Sequence, residues 1–330
     1  MAGRGRVERE NRVASDRVHW SEHPIFSRHV AGDPDRYLYR YTSLEQAAAV
    51  ALRKSLLLAP LWAMNDVNES EPQLINPVTS TDDPSDPVRS VPEAVWRPVQ
   101  DELDRRRLNT RIVAFTRDSF AGADTTAKRA DARGFARQTM WAHYADDCQG
   151  VCLVYDRQKL IDAAEAKWNH AVACRDVTYT EAGFSSAIAR RGIVSFDTPP
   201  NIDDHYRRMV IPNLFEKNGD WAVEREFRVL IPDDANLDAS LNVDGKVVGI
   251  VLGPRFKEFA LPTALAIARA FDVPYRNIAH VRNIYGVLEP GPIRRDDDGS
   301  WGLYDALGFL NADYDAVENS EARLAEDWNR

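Results

Sequence analysis

Cysteine is scarce: Cys148, Cys152 and Cys174 are the only three in 330 residues. So few, and an odd number, make no disulfide framework, so a buried core and not cross-linking has to hold the chain together. Cys148 and Cys152 lie four apart with no second cysteine pair behind them, which speaks against a zinc site. Long apolar runs are missing too. No segment approaches the ~20 residues that cross a bilayer, and the start, Met1 to Arg6, lacks the apolar stretch of a signal peptide. These absences lead us to expect a cytoplasmic chain with no membrane partner.

An excess of positive charge is also absent. The net charge of −9 argues against binding nucleic acid over the whole surface. Arg4 to Arg17 and Arg105-Arg106-Arg107 are local basic stretches, but acids are interleaved with both, so composition leaves nucleic acid an open question. There is no Gly-rich loop ending in Gly-Lys-Ser/Thr, no Gly-x-Gly-x-x-Gly, no Gly-x-Ser-x-Gly and no His-Glu-x-x-His. The common routes to a nucleotide hydrolase, a dehydrogenase, a serine hydrolase and a zinc protease are thereby disfavoured.

What is present suits an ordinary globular core: 44% of residues are apolar. Tyr37, Tyr39 and Tyr41 alternate as on one face of a strand. Ser43-Leu44-Glu45-Gln46 has the capping-box pattern, and Leu44, Ala47, Ala48, Ala51 and Leu52 then recur at helical spacing. Apolar runs at 56–59, 112–116, 151–155 and 246–252 read as buried strands. Further strands are expected at 173–180, 222–231 and 280–285, and helices at 92–108, 156–167, 203–217 and 262–271. Residues 72–92 and 117–137 have loop composition. Irregular alternation of strands and helices favours an α+β fold, a mixed central sheet with helices packed on it and flexible or helical terminal arms. We divide it into a polar N-terminal arm (1–35), one α+β core domain (36–288) and a linker with a C-terminal helical tail (289–330).

Three segments carry candidate chemistry. In the strand expected at 222–231, Glu224, Glu226 and Arg228 share one face. Two carboxylates about 7 Å apart, with a guanidinium beside them, can orient sugar hydroxyls or stabilise a developing cation. The plainer reading is a solvent-facing strand whose charges neutralise one another. Met140-Trp141-Ala142-His143-Tyr144 offers an imidazole for proton exchange and flat rings for stacking, or else a structural histidine with packing aromatics beneath a turn. Asn65-Asp66-Val67-Asn68-Glu69 follows a strand and could bind ligand, a hard cation included; helix capping by Asn65 or Asp66 is the plainer account.

Several segments together resemble one family: Leu38 to Ser43, Leu61 to Asp66, Ala114-Phe115-Thr116, Met140 to Tyr144 with Gly150 to Leu153, Trp221 to Arg228, and Ile250 to Pro254. Their order and content look like the bacterial proteins grouped as domain of unknown function 2971, over roughly residues 37 to 285. Val67 stands where that family usually has proline, and Thr116 where it usually has serine. The resemblance adds weight to the sites without naming a reaction.

The order of parts is also similar in outline to ADP-ribosyltransferases: an early polar strand, a middle aromatic element and a late Glu-x-Glu. On that analogy the chain is a nucleotide-dependent transferase with NAD as substrate. Glu226 or Glu224 would hold ribose hydroxyls, with His143 in the same cleft, and Tyr144 would stack on nicotinamide. Arg40 or Arg228 would meet phosphate, and Tyr41, Asn65, Asp66 and Trp141 would line the site. The alternative is a non-catalytic ligand-binding or sensor module using the same cleft. A third reading is a metal-dependent site built from Asn65, Asp66 and Glu69.

Overall fold

The alternating tyrosines form the middle of the sheet. The computed structural model describes residues 36–70, 75–79, 91–120, 132–180, 193–233, 238–273, 275–281 and 284–288; the expected arm at 1–35 and tail at 289–330 lie outside these. In chain order the strands are β1 (Tyr37–Thr42), β2 (Ser55–Leu57), β3 (Ala59–Pro60), β4 (Asn76–Val78) and β5 (Arg111–Arg117). There follow β6 (Val151–Asp156), β7 (Ala173–Asp176), β8 (Thr178–Thr180), β9 (Ile193–Ser195) and β10 (Glu216–Asn218). Last come β11 (Glu226–Ile231), β12 (Ser240–Asn242), β13 (Val247–Leu252), β14 (Tyr275–Val281) and β15 (Ile284–Leu288).

The main sheet runs β15-β14-β13-β6-β1-β5-β11-β7, with β3 added beside β5. Neighbours are antiparallel except β13 and β14. With its flanking helices this is the α+β architecture expected from the sequence. One sheet face is covered by the helices Leu44–Arg53, Arg157–Trp168 and Leu261–Phe271, which pack Ala47, Leu160 and Ile267 against Leu38, Phe115, Leu153 and Phe227. The other face carries Tyr37, Tyr39, Tyr41 and Val154, covered by Phe135, Met140 and Trp141.

One joint in this sheet is short. β1 pairs with β6 along its whole length, from Tyr37 to Thr42, and β11 pairs with β5 from Glu226 to Ile231. Between these two halves, β1 meets β5 only at Leu38↔Arg117 and Tyr39↔Thr116. The far end of β5 is taken by β3, at Ala59↔Ile112 and Pro60↔Arg111. On that edge Val113, Ala114 and Phe115 have no strand partner among the described residues, and the sheet opens there. Asp118, directly after β5, fixes the closed end: it accepts from the Tyr39 hydroxyl (3.1 Å), the Gly134 N–H (2.7 Å) and Arg133 (3.1 Å).

Several local expectations need correction. The strand expected at 173–180 breaks in two, because the Val177 N–H donates to the Glu226 carbonyl and β8 leaves to pair with β10. The helix expected at 203–217 stops at Asn213, and Glu216–Asn218 becomes β10 on the edge that β8 offers. The strand expected from Ala222 starts only at Glu226, since Gly219–Glu224 is a 3-10 turn and Arg225 adopts a left-handed φ of 46°. The last expected strand is a hairpin of β14 and β15. Ser43 does cap its helix by accepting from the Gln46 N–H, but the Gln46 side chain accepts from Thr42 Oγ1 (2.7 Å), so the capping box lacks its return bond.

The helix Gln138–Tyr144 is tied to the sheet through Gly150, whose N–H donates to the Ala145 carbonyl at 2.7 Å. A Cβ at Gly150 would lie 2.3 Å from the Thr42 carbonyl oxygen and 2.9 Å from the Ala145 carbonyl, both backbone. Neither can swing away, so Gly150→Ala should cost about 3 kcal/mol, the upper part of the overpacking range. Urea unfolding of the purified variant measures it; a loss under 0.5 kcal/mol, on the order of a neutral surface change, would contradict the packing described.

Candidate functional site

The turn at Arg225 sets the site. It separates Glu224 from the strand and points both Glu224 and Glu226 at Lys217, the middle residue of β10. Lys217 Nζ lies 2.8 Å from Glu224 Oε2 and 3.0 Å from Glu226 Oε2. Arg228 clasps Glu226 with two hydrogen bonds, Nε to Oε1 (2.6 Å) and Nη2 to Oε2 (2.9 Å). Its Nη1 donates to the Leu214 carbonyl (2.5 Å) and lies 2.6 Å from Glu69 Oε1. Glu69 comes from the short helix Val67–Ser70, and Arg107 Nη2 donates to its carbonyl at 2.7 Å. The plainer reading of a solvent-facing strand is thereby excluded: Glu69, Glu224, Glu226, Lys217 and Arg228 are all buried.

Three carboxylates thus share two cations. Burial raises Glu69, and Arg228 and then Lys217 only partly offset it. Burial acts on Glu226 the same way, but the two-pronged Arg228 and then Lys217 outweigh it and hold the carboxyl below its ordinary value. Desolvation would lower Lys217 and Arg228, yet Glu226 and then Glu69 push both well up, so both stay charged.

A second element reaches the same place. Tyr144 donates its hydroxyl to Glu224 Oε1 at 2.6 Å, and burial followed by that bond raises its phenol well above the ordinary value. Tyr144 is therefore a hydrogen-bond donor to the carboxylate. The helix places His143 next to it, exposed, with the two rings edge-on at 6.3 Å.

These groups border a cavity of about 310 Å³ in the opening between β1 and β5. His143, Tyr144, Glu224 and Glu226 line it, and so do Arg40, Tyr41, Asn65 and Asp66. Two expected residues do not. Trp141 is 1% exposed, donates its Nε1 to the Phe135 carbonyl (2.7 Å) and meets Tyr41 edge-on (4.8 Å), so no face is free for a ligand. Arg228 is 0% exposed and its fork is filled by Glu226. Tyr144 is anchored by its hydroxyl, and Trp221 is a further aromatic on the wall, with Lys217 5.0 Å from its ring centre.

The sequence reading gave no site role to Lys217 or Trp221, and offered Glu69 only as a metal ligand. Lys217 falls in the stretch whose pattern predicts a helix over 203–217, where a lone lysine is unremarkable. Trp221 had a signal, an aromatic three residues before Glu224. Glu69 is committed to Arg228 and Lys217, and no group of three or more His, Cys, Asp or Glu among the described residues could hold a metal.

Residues 140–229 match the model of a family described as a protein of unknown function, DUF2971, so the resemblance holds over that stretch, which is narrower than expected. It takes in His143, Tyr144, Lys217, Glu224 and Glu226, and leaves out Arg40 and Glu69. No curated protein and no solved structure matches the chain.

The two carboxylates on Arg228 should respond to pH in opposite senses. Glu226 has a lowered folded-state pKa, so its stabilisation is present above the ordinary value of 4.5 and is lost as pH falls through the folded value. Glu226→Gln should cost about 3 kcal/mol at pH 7, from cations left underpaired, with the deficit shrinking below pH 4.5. Glu69 has a raised pKa, so the stability it contributes is full below 4.5 and fades as pH rises through the folded value. Glu69→Gln should therefore cost less at pH 7, and its deficit should shrink with rising pH. Denaturant titrations between pH 3.5 and 8 (on the order of the carboxylate range) test this; parallel curves for the two variants would refute it.

Proposed function

We propose that the cavity binds a nucleotide and that the chain is a transferase with an ADP-ribosyltransferase-like site, taking NAD as donor. One observation carries the reading: the Glu224 carboxylate on the cavity wall, fixed between the Tyr144 hydroxyl at 2.6 Å and the Lys217 ammonium at 2.8 Å. A carboxylate held in place before reaction stabilises positive charge that develops beside it, at no cost of reorientation. In the transfer, the bond from ribose C1′ to the nicotinamide nitrogen breaks and its electron pair leaves with nicotinamide. The positive charge left on the ribosyl ring faces Glu224. The acceptor's lone pair closes the new bond to C1′, and the acceptor's proton passes to His143 or to water.

The sequence offered Glu224 and Glu226 equally. Both are buried, and their partners separate them: Arg228 occupies both oxygens of Glu226, which makes Glu226 a positioning residue for Lys217, whereas Glu224 lies between two donors on the wall. Each carboxylate oxygen accepts more than one hydrogen bond, so Glu224 can still take a ribose hydroxyl. Trp221, and not Tyr144, is the surface for the nicotinamide ring.

The second reading, binding without turnover, draws on the same geometry, since both Glu224 oxygens already have partners. Incubation with NAD and a cell lysate separates the two. The transferase should release nicotinamide, and Glu224→Gln should lower the rate by about 100-fold or more. Saturable NAD binding with no nicotinamide released would establish the sensor reading. Release that survives Glu224→Gln would remove this residue from the chemistry.

A further inference from the structure

Among the described residues, two ammonium or guanidinium groups line the cavity, Lys217 and Arg40. Lys217 faces Glu224 and Glu226, but Arg40 meets no carboxylate among the described residues. Its Nη1 donates to the Ala114 carbonyl at 3.0 Å, reaching across the opening between β1 and β5. A guanidinium has five N–H donors in a fixed fork, and among the described residues this one meets a single acceptor, a backbone carbonyl. Desolvation pulls Arg40 below its ordinary value, and the second influence on it is the Tyr155 phenol. Tyr155 has an unmet need of its own: it is 0% exposed, its hydroxyl has no hydrogen-bond partner among the described residues, and its ring meets Phe115 of the cavity wall at 5.3 Å.

A half-buried cation with no counter-ion among the described residues costs folding stability, and a site that accepts such a cost is one that recovers it on binding. We infer that Arg40, with the Tyr155 hydroxyl behind it, forms an oxyanion subsite in the opening of the sheet, which takes a phosphoryl or carboxylate group of the ligand. The guanidinium fork matches either group in two-pronged fashion. Strand alternation puts Arg40 on the Leu38 face of β1, whereas Glu226 leaves β11 on the opposite face from Phe227, which packs with Leu38. The cavity is lined from both faces, by Val113 and Phe115 as well as by Ala114 and Thr116. A ligand therefore passes through the opening with its anionic group at Arg40 and its hydroxyl-bearing or cationic part at Glu224. The subsite does not require transfer chemistry.

Thermal unfolding of the full chain, at constant ionic strength, with pyrophosphate, inorganic phosphate or succinate as probe, tests the subsite. At a concentration far above Kd, pyrophosphate should raise the Tm by about 5 °C, and a rise with succinate alone would assign the subsite to carboxylates. Arg40→Met should abolish the rise while the unliganded Tm stays level or goes up. Arg40→Lys keeps the charge but not the fork and should bind about tenfold more weakly; Tyr155→Phe should lose part of the rise. Glu224→Gln should keep the rise; in the wild-type chain, failure of nicotinamide release together with intact anion binding would sink the transferase reading alone. The subsite is overturned if no probe shifts the wild-type Tm, or if Arg40→Met keeps the rise. It is equally overturned if Arg40→Met lowers the unliganded Tm and no anion stabilises the parent, because the guanidinium is then a strap for the Ala114 carbonyl.

Discussion

β1 and β5 lie side by side in the main sheet yet share only the pairs at Leu38 and Tyr39, and the rest of the site follows from that short joint. A sheet paired along its whole length would fill the space with ladder hydrogen bonds and leave no room for a ligand. Here β3 closes the far end of β5, Arg40 spans the middle, and the backbone of Val113 to Phe115 borders a cavity. An open edge is a liability in a sheet. In this protein it is enclosed by the loop from Ala63 to Asp66 and by the helix that carries His143 and Tyr144.

The charge cluster beside the opening has a different logic. A buried ion pair seldom adds net stability over apolar residues of the same size, but removing one partner strands the other. Arg228 serves three separate pieces of chain: Glu226 on β11, Glu69 in the short helix Val67–Ser70 after β3, and the Leu214 carbonyl before β10. Lys217 then ties β10 to the turn that carries Glu224. The cluster specifies how these segments sit relative to one another, and the Glu224 carboxylate takes its position from that arrangement.

Elements with strong local patterns were legible in the sequence. The tyrosine alternation gave β1, the apolar runs gave β5, β6 and β13, and the Ser43 cap gave the helix after β1. Glu224, Glu226, His143 and Tyr144 stood out as rare polar groups in short segments, and all four line one cavity. What escaped depends on partners distant in the chain. Glu224 leaves the strand because of one left-handed residue, Arg225, a conformation its sequence does not advertise. Trp141 has the composition of a stacking residue, but Phe135 and Tyr41 enclose it. Lys217 acquires its role only when β10 meets the turn before β11, and a lysine within a stretch of mixed polarity carries no sign of that.

Side chains on a strand change face with every residue, so a slip of one position between β1 and β5 would turn Arg40 toward the tyrosine layer and drive Tyr39 among the leucines. Two residue pairs are a weak guard against such a slip. Asp118 supplies what they lack: fixed by Arg133 and the Gly134 N–H, it grips the Tyr39 hydroxyl from the end of the neighbouring strand. It acts as a tooth between the two halves of the sheet, and the side of the molecule to which Arg40 points is decided by a carboxylate that never touches the cavity.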